Sequence, residues 1–231
     1  MSLNNYFKLN NPAWFALTEK HQAFAIGTSE IKKYPRFVAP WIGYQSTIPT
    51  VFDQLDPFVE TGESCYVFDK LPTLPENYIQ EATIHCLQMI CEKEIENIIQ
   101  NVTIEKLENQ DADELEALIN LVQPGYYNPG TRLMGEYYGI KQEGKLVAAA
   151  GERICLAEFT EISGVVTHPD FVGRKYAQQL VTLVANKNLR AGLLPYLHVA
   201  ETNDRAIRLY EYLGFTVRRK IEVFKIKKTK Q

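Results

Sequence analysis

Val165-Val166-Thr167-His168-Pro169-Asp170-Phe171-Val172-Gly173-Arg174-Lys175-Tyr176-Ala177 is the stretch on which the fold turns. A β-branched apolar run feeds a turn marked by Pro169 and Gly173, and Tyr176, Ala177, Leu180, Val181 and Val184 then recur at helical spacing. The pattern predicts a strand over 162–167, a helix from 173 to about 190 and a buried strand over 196–200. Two strands joined by such a helix form a right-handed βαβ unit, whose ligands bind in the crevice beyond the strand C-termini. Residues 171–200 contain no Asp or Glu, while Arg174 and Lys175 fall in the expected first helical turn. A cation there is disfavoured by roughly 0.3 to 1 kcal/mol against the helix dipole, so an anion is wanted in compensation. Free backbone N–H groups, close approach over Gly173 and two cations suit a phosphate or pyrophosphate; a solvated basic helix end is the alternative reading.

Working outward, Val102-Thr103-Ile104-Glu105 reads as a strand and 111–122 as a helix burying Leu115, Leu118, Ile119 and Val122. Strands over 137–140 and 146–154 meet across Glu143-Gly144 as a hairpin. A short helix over 204–213 stops at Gly214, and 215–226 supplies the closing strand or strands. Towards the N-terminus, Asn11-Pro12 is a cap and first helical residue for a helix over 13–24, and 65–68 and 83–90 read as strands. The expectation is an α/β protein with a mixed sheet flanked by helices over 101–231, and an additional N-terminal α/β part over 1–100 packed against it.

The chain of 231 residues is 45% hydrophobic and 23% charged, ordinary values for a folded protein of one large domain or two small ones. Its net charge is -3, distributed as 7 Lys+Arg against 12 Asp+Glu in residues 1–100 and 18 against 16 in residues 101–231. That balance argues against a sequence-independent nucleic-acid binder. Cys65, Cys86, Cys91 and Cys155 include no C-x-x-C pair and suggest reduced, mostly buried thiols; no His, Cys and Asp cluster has metal-ligand spacing, and no metal is expected. Without an apolar run long enough to span a bilayer, or a basic region followed by an apolar stretch at the N-terminus, the expectation is a cytoplasmic protein that does not engage membranes.

The turn resembles that of the GNAT superfamily of acyl-CoA-dependent N-acyltransferases, whose signature Arg/Gln-x-x-Gly-x-Gly/Ala holds the coenzyme A pyrophosphate on backbone amides. Val172 and Lys175 depart from two of the three signature positions and Ala177 keeps the third. The approach Thr167-His168-Pro169-Asp170-Phe171, the later Asn203-x-x-Ala206 and Leu209-Tyr210-Glu211-Tyr212-Leu213-Gly214-Phe215 are similar to family motifs, and the resemblance covers about 101–228. Asn11-Pro12-Ala13-Trp14-Phe15-Ala16-Leu17-Thr18, Tyr34-Pro35 and Gln88-Met89 resemble two-part members of the glycine N-acyltransferase-like branch.

The resemblance implies acetyl-CoA or another acyl-CoA as co-substrate and an amine acceptor, a small molecule by preference. Val165, Val166 and Thr167 would lie along the pantetheine arm, Val172, Gly173, Arg174, Lys175, Tyr176 and Ala177 would hold the pyrophosphate, Asn203 with Tyr210 would border the thioester, and Ala206 would belong to the same cofactor site; 101–231 would be the catalytic domain, and the part over 1–100 would shape the acceptor side or serve as support. Glu161 falls where some members carry a general base, and Tyr210 where the family places a tyrosine near the thioester sulfur, able to protonate the departing thiolate. By pattern alone Glu161 is equally a solvated strand-end charge and Tyr210 an aromatic core residue. His168 before Pro reads as a surface residue and His198 as a satisfied core histidine. Tyr126, Tyr127, Pro129 and Arg132 form a loop that could line an acceptor pocket for an amine bearing a carboxylate or an apolar group. A catalytically silent acyl-CoA sensor and a protein-protein module are the rival functions.

Overall fold

The computed structural model describes residues 6–45, 50–96 and 102–229. The boundary expected between residues 100 and 101 lies outside the described residues. Helix α1 (Pro12–Thr18) is capped by Asn11, which accepts a hydrogen bond from the Trp14 N–H, with Pro12 at the first helical position where a missing N–H costs nothing. It ends six residues earlier than the pattern predicts. The His21 N–H turns back to the Ala16 carbonyl, and the His21 ring is buried between the Tyr34 hydroxyl and the Met134 carbonyl, partners that a continued helix would not reach.

Short strands β1 (Ile26–Gly27), β2 (Ile31–Lys33) and β3 (Trp41–Tyr44) follow, then β4 (Ser64–Phe68) and the long β5 (Tyr78–Ile90). After β6 (Glu105–Lys106) and α2 (Ala112–Val122) come β7 (Tyr137–Gln142) and β8 (Lys145–Cys155). These last two are joined by Glu143 and Gly144, both at positive φ as a type I′ hairpin turn requires. The chain continues through β9 (Phe159–Thr167), α3 (Tyr176–Arg190), β10 (Leu194–Ala200), α4 (Asp204–Tyr212) and β11 (Thr216–Lys228). Among the described residues these strands form one mixed sheet in the order β1-β2-β3-β4-β11-β5-β10-β9-β8-β7-β6, in which β3/β4 and β9/β10 are the parallel pairs.

Strand β5 is paired antiparallel with β11 on one side and β10 on the other, so the N-terminal stretch supplies a central strand of the sheet. Alternate residues of β10 serve different cores. Leu197 and Val199 pack with Tyr176, Leu180, Val184 and Tyr210 of α3 and α4, while Tyr196 packs with Ala13, Ala16 and Leu17 of α1 and with Trp41 and Phe68. Helix α2 buries Leu115, Leu118 and Ile119 against Ala149 and Val166.

Two local features position the site. Strands β9 and β10 pair only from Phe159–Glu161 against Leu194–Tyr196, and beyond that point they separate. Gly164, at φ 61, adds an extra residue to β9 opposite β8, and a Cβ there would stand 2.9 Å from the Tyr137 ring. Helix α3 starts at Tyr176, three residues later than its periodicity predicts, because Gly173 at φ 86 and Lys175 at φ 61 keep the chain out of helical geometry. Arg174 and Lys175 therefore precede the first turn instead of occupying it.

Gly43 of β3 lies so close to α1 that a Cβ would fall 2.2 Å from the Trp14 backbone nitrogen. Gly43→Ala should push α1 off the sheet and destabilise the protein by about 1–3 kcal/mol, read as a lowered urea midpoint at unchanged m-value.

Candidate active site

A cleft of about 900 Å³ opens where β9 and β10 separate. At one end is the turn Val172, Gly173, Arg174, Lys175, Tyr176 and Ala177, all six residues lining it. No side chain caps α3, so its first N–H groups are left for an external acceptor. No described atom lies within 4 Å of a Cβ placed on Gly173, and Arg174 rests over the Phe171 ring at 5.0 Å. Lys175 holds the left-handed conformation for which glycine at that signature position is suited, a strain of roughly 1–2 kcal/mol in a lysine.

The middle of the cleft is lined by Val165, Val166 and Thr167. Val166 and Thr167 pair with Ala149 and Ala148 of β8, whereas the edge of β9 towards β10 has no strand partner past Glu161. Asn203 and Ala206 also line the cleft, and the Asn203 side chain accepts the Ala206 N–H at 3.1 Å as the N-cap of α4. Tyr210 packs its ring against Phe215 at 5.9 Å, its hydroxyl makes no hydrogen bond with the described residues, and burial pushes that hydroxyl up to about 12.

The other end is aromatic and is built largely from the N-terminal stretch. Trp41 and Phe68 stack at 4.3 Å, Phe68 stacks on His198 at 4.8 Å, and Tyr66, Tyr126, Tyr127 and Tyr137 complete the wall. Of the loop expected to line an acceptor pocket, Tyr126 and Tyr127 do so, while Pro129 and Arg132 do not; Arg132 donates to the Asn109 side chain at 2.5 Å. The cation at this end is Arg153, which sequence reasoning missed, held 5.0 Å over the Trp41 ring.

Behind this wall a row of polar side chains crosses five adjacent strands. Arg218 of β11 donates to the Gln88 Oε1 at 2.5 Å, and the Gln88 Nε2 donates to the Leu9 carbonyl at 2.7 Å and meets the His198 Nε2 at 2.9 Å. The His198 Nδ1 is 2.8 Å from Glu161 Oε1, and Arg153 Nε and Nη2 donate to the two Glu161 oxygens at 2.9 and 2.8 Å. An arginine donor on one side and a carbonyl acceptor on the other fix the orientation of the Gln88 amide. Its N–H therefore points at His198, whose Nε2 must accept and whose Nδ1–H must donate to Glu161. Bulges at Arg218 in β11 and within Glu152–Cys155 in β8 turn the end members of the row onto this face.

Residues 137–224 match the FR47-like protein family. A solved structure of a protein assigned as a GNAT-family acetyltransferase from Novosphingobium aromaticivorans is 27% identical, with a TM-score of 0.86 over 96% of this chain and 99% of that one. A GCN5-related N-acetyltransferase from Kribbella flavida, 12% identical, gives a TM-score of 0.62 over 95% of this chain and 96% of that one. A GCN5-related N-acetyltransferase-like protein from Streptococcus suis, 13% identical, gives 0.60 over 92% of each chain. No curated protein matches the sequence significantly. The chain has the fold of the GNAT N-acetyltransferases, and its residues 137–224 are similar to the FR47-like proteins. Among the described residues no three His, Cys, Asp or Glu side chains are grouped to hold a metal ion, all four cysteines are buried and unpaired, and no helix is long and apolar enough to cross a membrane.

Glu161, expected as a solvated charge or a general base, is fully buried and does not line the cleft. Burial alone would raise its carboxyl, but the Arg153 guanidinium and the hydrogen bonds from His198 and Arg153 outweigh it and hold the group at about 2. With both oxygens engaged, Glu161 anchors Arg153 and His198 and is not free to take a proton. Glu161→Gln leaves a buried guanidinium without its counter-ion and should cost about 3–5 kcal/mol, lowering Tm by roughly 10 °C. Because the folded state holds Glu161 below its ordinary 4.5, its stabilisation is complete above that pH and is lost as pH falls towards 2. Acid titration of wild type and Glu161→Gln should show the difference between them shrinking across that window.

Proposed function

We propose that this protein is an acyl-CoA-dependent N-acyltransferase that moves an acetyl or other short acyl group to a primary amine by direct attack. The observation that carries the reading is a cleft, with no Asp or Glu among the described residues of its lining, that joins the uncapped start of α3 to Tyr210 and the Arg153 wall. The residues present fit an acyl-CoA. The amides at 173–177, with Arg174 and Lys175 beside them, would hold the pyrophosphate, and the open edge of β9 at Val165, Val166 and Thr167 would hydrogen-bond the pantetheine arm as an added strand. Asn203 and Ala206 would border the reactive end. The co-substrate supplies the activated acyl group and a thiolate leaving group; the protein supplies position and a proton.

Tyr210 is the proton donor in this reading. Raised to about 12, its hydroxyl stays protonated at neutral pH and has no hydrogen-bond partner among the described residues to compete for it. Among the described residues the lining holds no carboxylate, and His198, the one histidine among them, has both ring nitrogens engaged, so neither type of side chain is free to act as general base. The amine therefore enters as the free base. The segment over 11–18, whose α1 supports the aromatic wall, fits the two-part glycine N-acyltransferase-like reading, in which the N-terminal stretch shapes the acceptor end.

CoA should raise the melting temperature through its preferential binding to the folded state, by about 2.7 kcal/mol at a hundredfold excess over Kd, with adenosine alone doing far less. Silence at millimolar CoA in both thermal shift and calorimetry would remove the acyl-CoA assignment. Arg174→Glu should weaken CoA binding more than tenfold without loss of fold. Tyr210→Phe keeps the ring and should lower kcat at least tenfold at unchanged CoA affinity; wild-type kcat would return Tyr210 to the core. The wild-type kcat/KM should climb with pH up to the pKa of the acceptor amine, with no inflection from Glu161 between pH 5 and 9. CoA binding without turnover of any amine would mark a sensor instead.

A further inference from the structure

We infer that Tyr137 is a second catalytic tyrosine beside Tyr210, its hydroxyl donating a hydrogen bond to the thioester carbonyl oxygen as negative charge gathers there. The inference rests on the acyl-CoA reading for the identity of that oxygen, while the geometry that delivers the hydroxyl is independent of it. Tyr137 of β7 pairs with Gly151 of β8, which in turn pairs with Ser163 of β9. The Tyr137 ring lies across β8 and β9 over two glycines: a Cβ at Gly151 would fall 2.3 Å from Cδ1, and one at Gly164 would stand 2.9 Å from Cε1 and 3.6 Å from the hydroxyl oxygen. Any side chain at either position would close that path. The phenol thus reaches from β7 to the bulge of β9, next to the stretch in which β9 has parted from β10. Tyr127 stands edge-on to the ring at 6.0 Å and holds it from a second side.

Tyr137 is 3% exposed yet lines the cleft, and its hydroxyl makes no hydrogen bond with the described residues. A buried phenol takes an acceptor where one is offered, and here the cleft offers it. Burial pushes the hydroxyl well above the range of a free phenol, so it keeps its proton and donates. Position along β9 decides what it donates to. With the pyrophosphate on the amides at 173–177 and the pantetheine arm along Thr167, Val166 and Val165, the next residue is Gly164, so the reactive end of the arm would arrive beside the Tyr137 hydroxyl. The two phenols come from opposite faces of the sheet: Ala148 and Ala150 of β8 pack in one core with Tyr210, Ala149 in another with Tyr137. Their tasks therefore differ. As the lone pair of the neutral amine forms the N–C bond, the carbonyl π pair moves onto oxygen, where Tyr137 hydrogen-bonds to it without giving up its proton. When that pair returns and the C–S bond breaks, the sulfur takes the Tyr210 proton, the nitrogen sheds one proton to solvent and Tyr210 regains one from solvent, leaving amide and thiol.

The test uses the full chain and acetyl-CoA isotope-labelled at the carbonyl carbon, bound without an amine and read by difference infrared spectroscopy. The carbonyl stretch should lie at lower wavenumber in wild type than in Tyr137→Phe, and Tyr210→Phe should leave it at the wild-type position. Tyr137→Phe keeps the ring over Gly151 and Gly164, so its urea midpoint and its calorimetric affinity for CoA should match those of wild type. With acetyl-CoA and the best amine of a panel, it should lower kcat about a hundredfold with the KM for the amine within about threefold. Both changes are required, and where no amine turns over the stretch alone decides. An unchanged stretch in Tyr137→Phe would return Tyr137 to packing, and wild-type kcat with a raised KM for the amine would put its hydroxyl on the acceptor; either result overturns the inference. Failure of wild type to bind acetyl-CoA in calorimetry would sink the acyl-CoA reading and this inference with it, whereas binding with an unaltered stretch in the Phe variant sinks Tyr137 alone.

Discussion

The bidentate pair of Arg153 and Glu161 is the interaction on which the rest of the site depends. Both groups are taken out of water at the point where β9 and β10 cease to pair, and a buried ion is tolerated only when its partner and remaining hydrogen bonds are in place. That demand draws His198 onto Glu161, Gln88 onto His198 and Arg218 onto Gln88, so one polar row fastens β8, β9, β10, β5 and β11 together. The fastening lies at the root of the cleft. Above it the strands are free to diverge, and the cleft exists because they do.

The same row ties the N-terminal stretch to the chemistry. Gln88 belongs to β5 and donates to Leu9, while Arg218 also reaches Asn10, so the segment leading into α1 is held by the groups that orient His198. Trp41 and Phe68, from β3 and β4, cover Arg153 and His198 with aromatic faces that exclude water and strengthen the hydrogen bonds beneath. The N-terminal stretch thus forms the aromatic wall physically, as strands of the same sheet. In this arrangement the two ends of the cleft are separable. Backbone amides and exposed cations make one, and a rigid aromatic and guanidinium wall makes the other.

One principle drives Glu161 and Tyr210 to opposite protonation states. Desolvation disfavours the charged form of each, but Glu161 has Arg153 to override it, whereas Tyr210 has no such partner and keeps its proton. A carboxylate and a hydroxyl that look interchangeable as proton carriers in a sequence are therefore driven to opposite states. The turn at Val172–Ala177 follows a different logic, because what it offers the cleft is backbone: no side chain caps the start of α3. At Lys175, where the chain departs from the glycine of the signature, the backbone takes up the left-handed conformation at some cost in strain.

The sequence by itself determined the βαβ unit, the hairpin at Glu143-Gly144 and the acid-free turn before α3, because periodicity, turn residues and local charge act over a few neighbours. It also carried the segments around Asn203 and Tyr210 that resemble GNAT motifs, and both residues line the same cleft as that turn. Only the tertiary structure decided that β5 stands in the middle of the sheet, that Glu161 is sealed behind Arg153 and that Arg153 closes the aromatic end. Those outcomes rest on a pairing of Arg153 with Glu161 across the β8/β9 hairpin, on partners 37 to 130 positions apart, from His198 with Glu161 to Arg218 with Gln88, and on two β-bulges. The one trace in the chain was a polar Gln88 among Cys86, Leu87, Met89 and Ile90, and a charged Arg153 beside Ile154. A polar or charged residue inside an apolar strand demands a buried partner, but its identity is fixed by strand order and register, which local pattern does not encode.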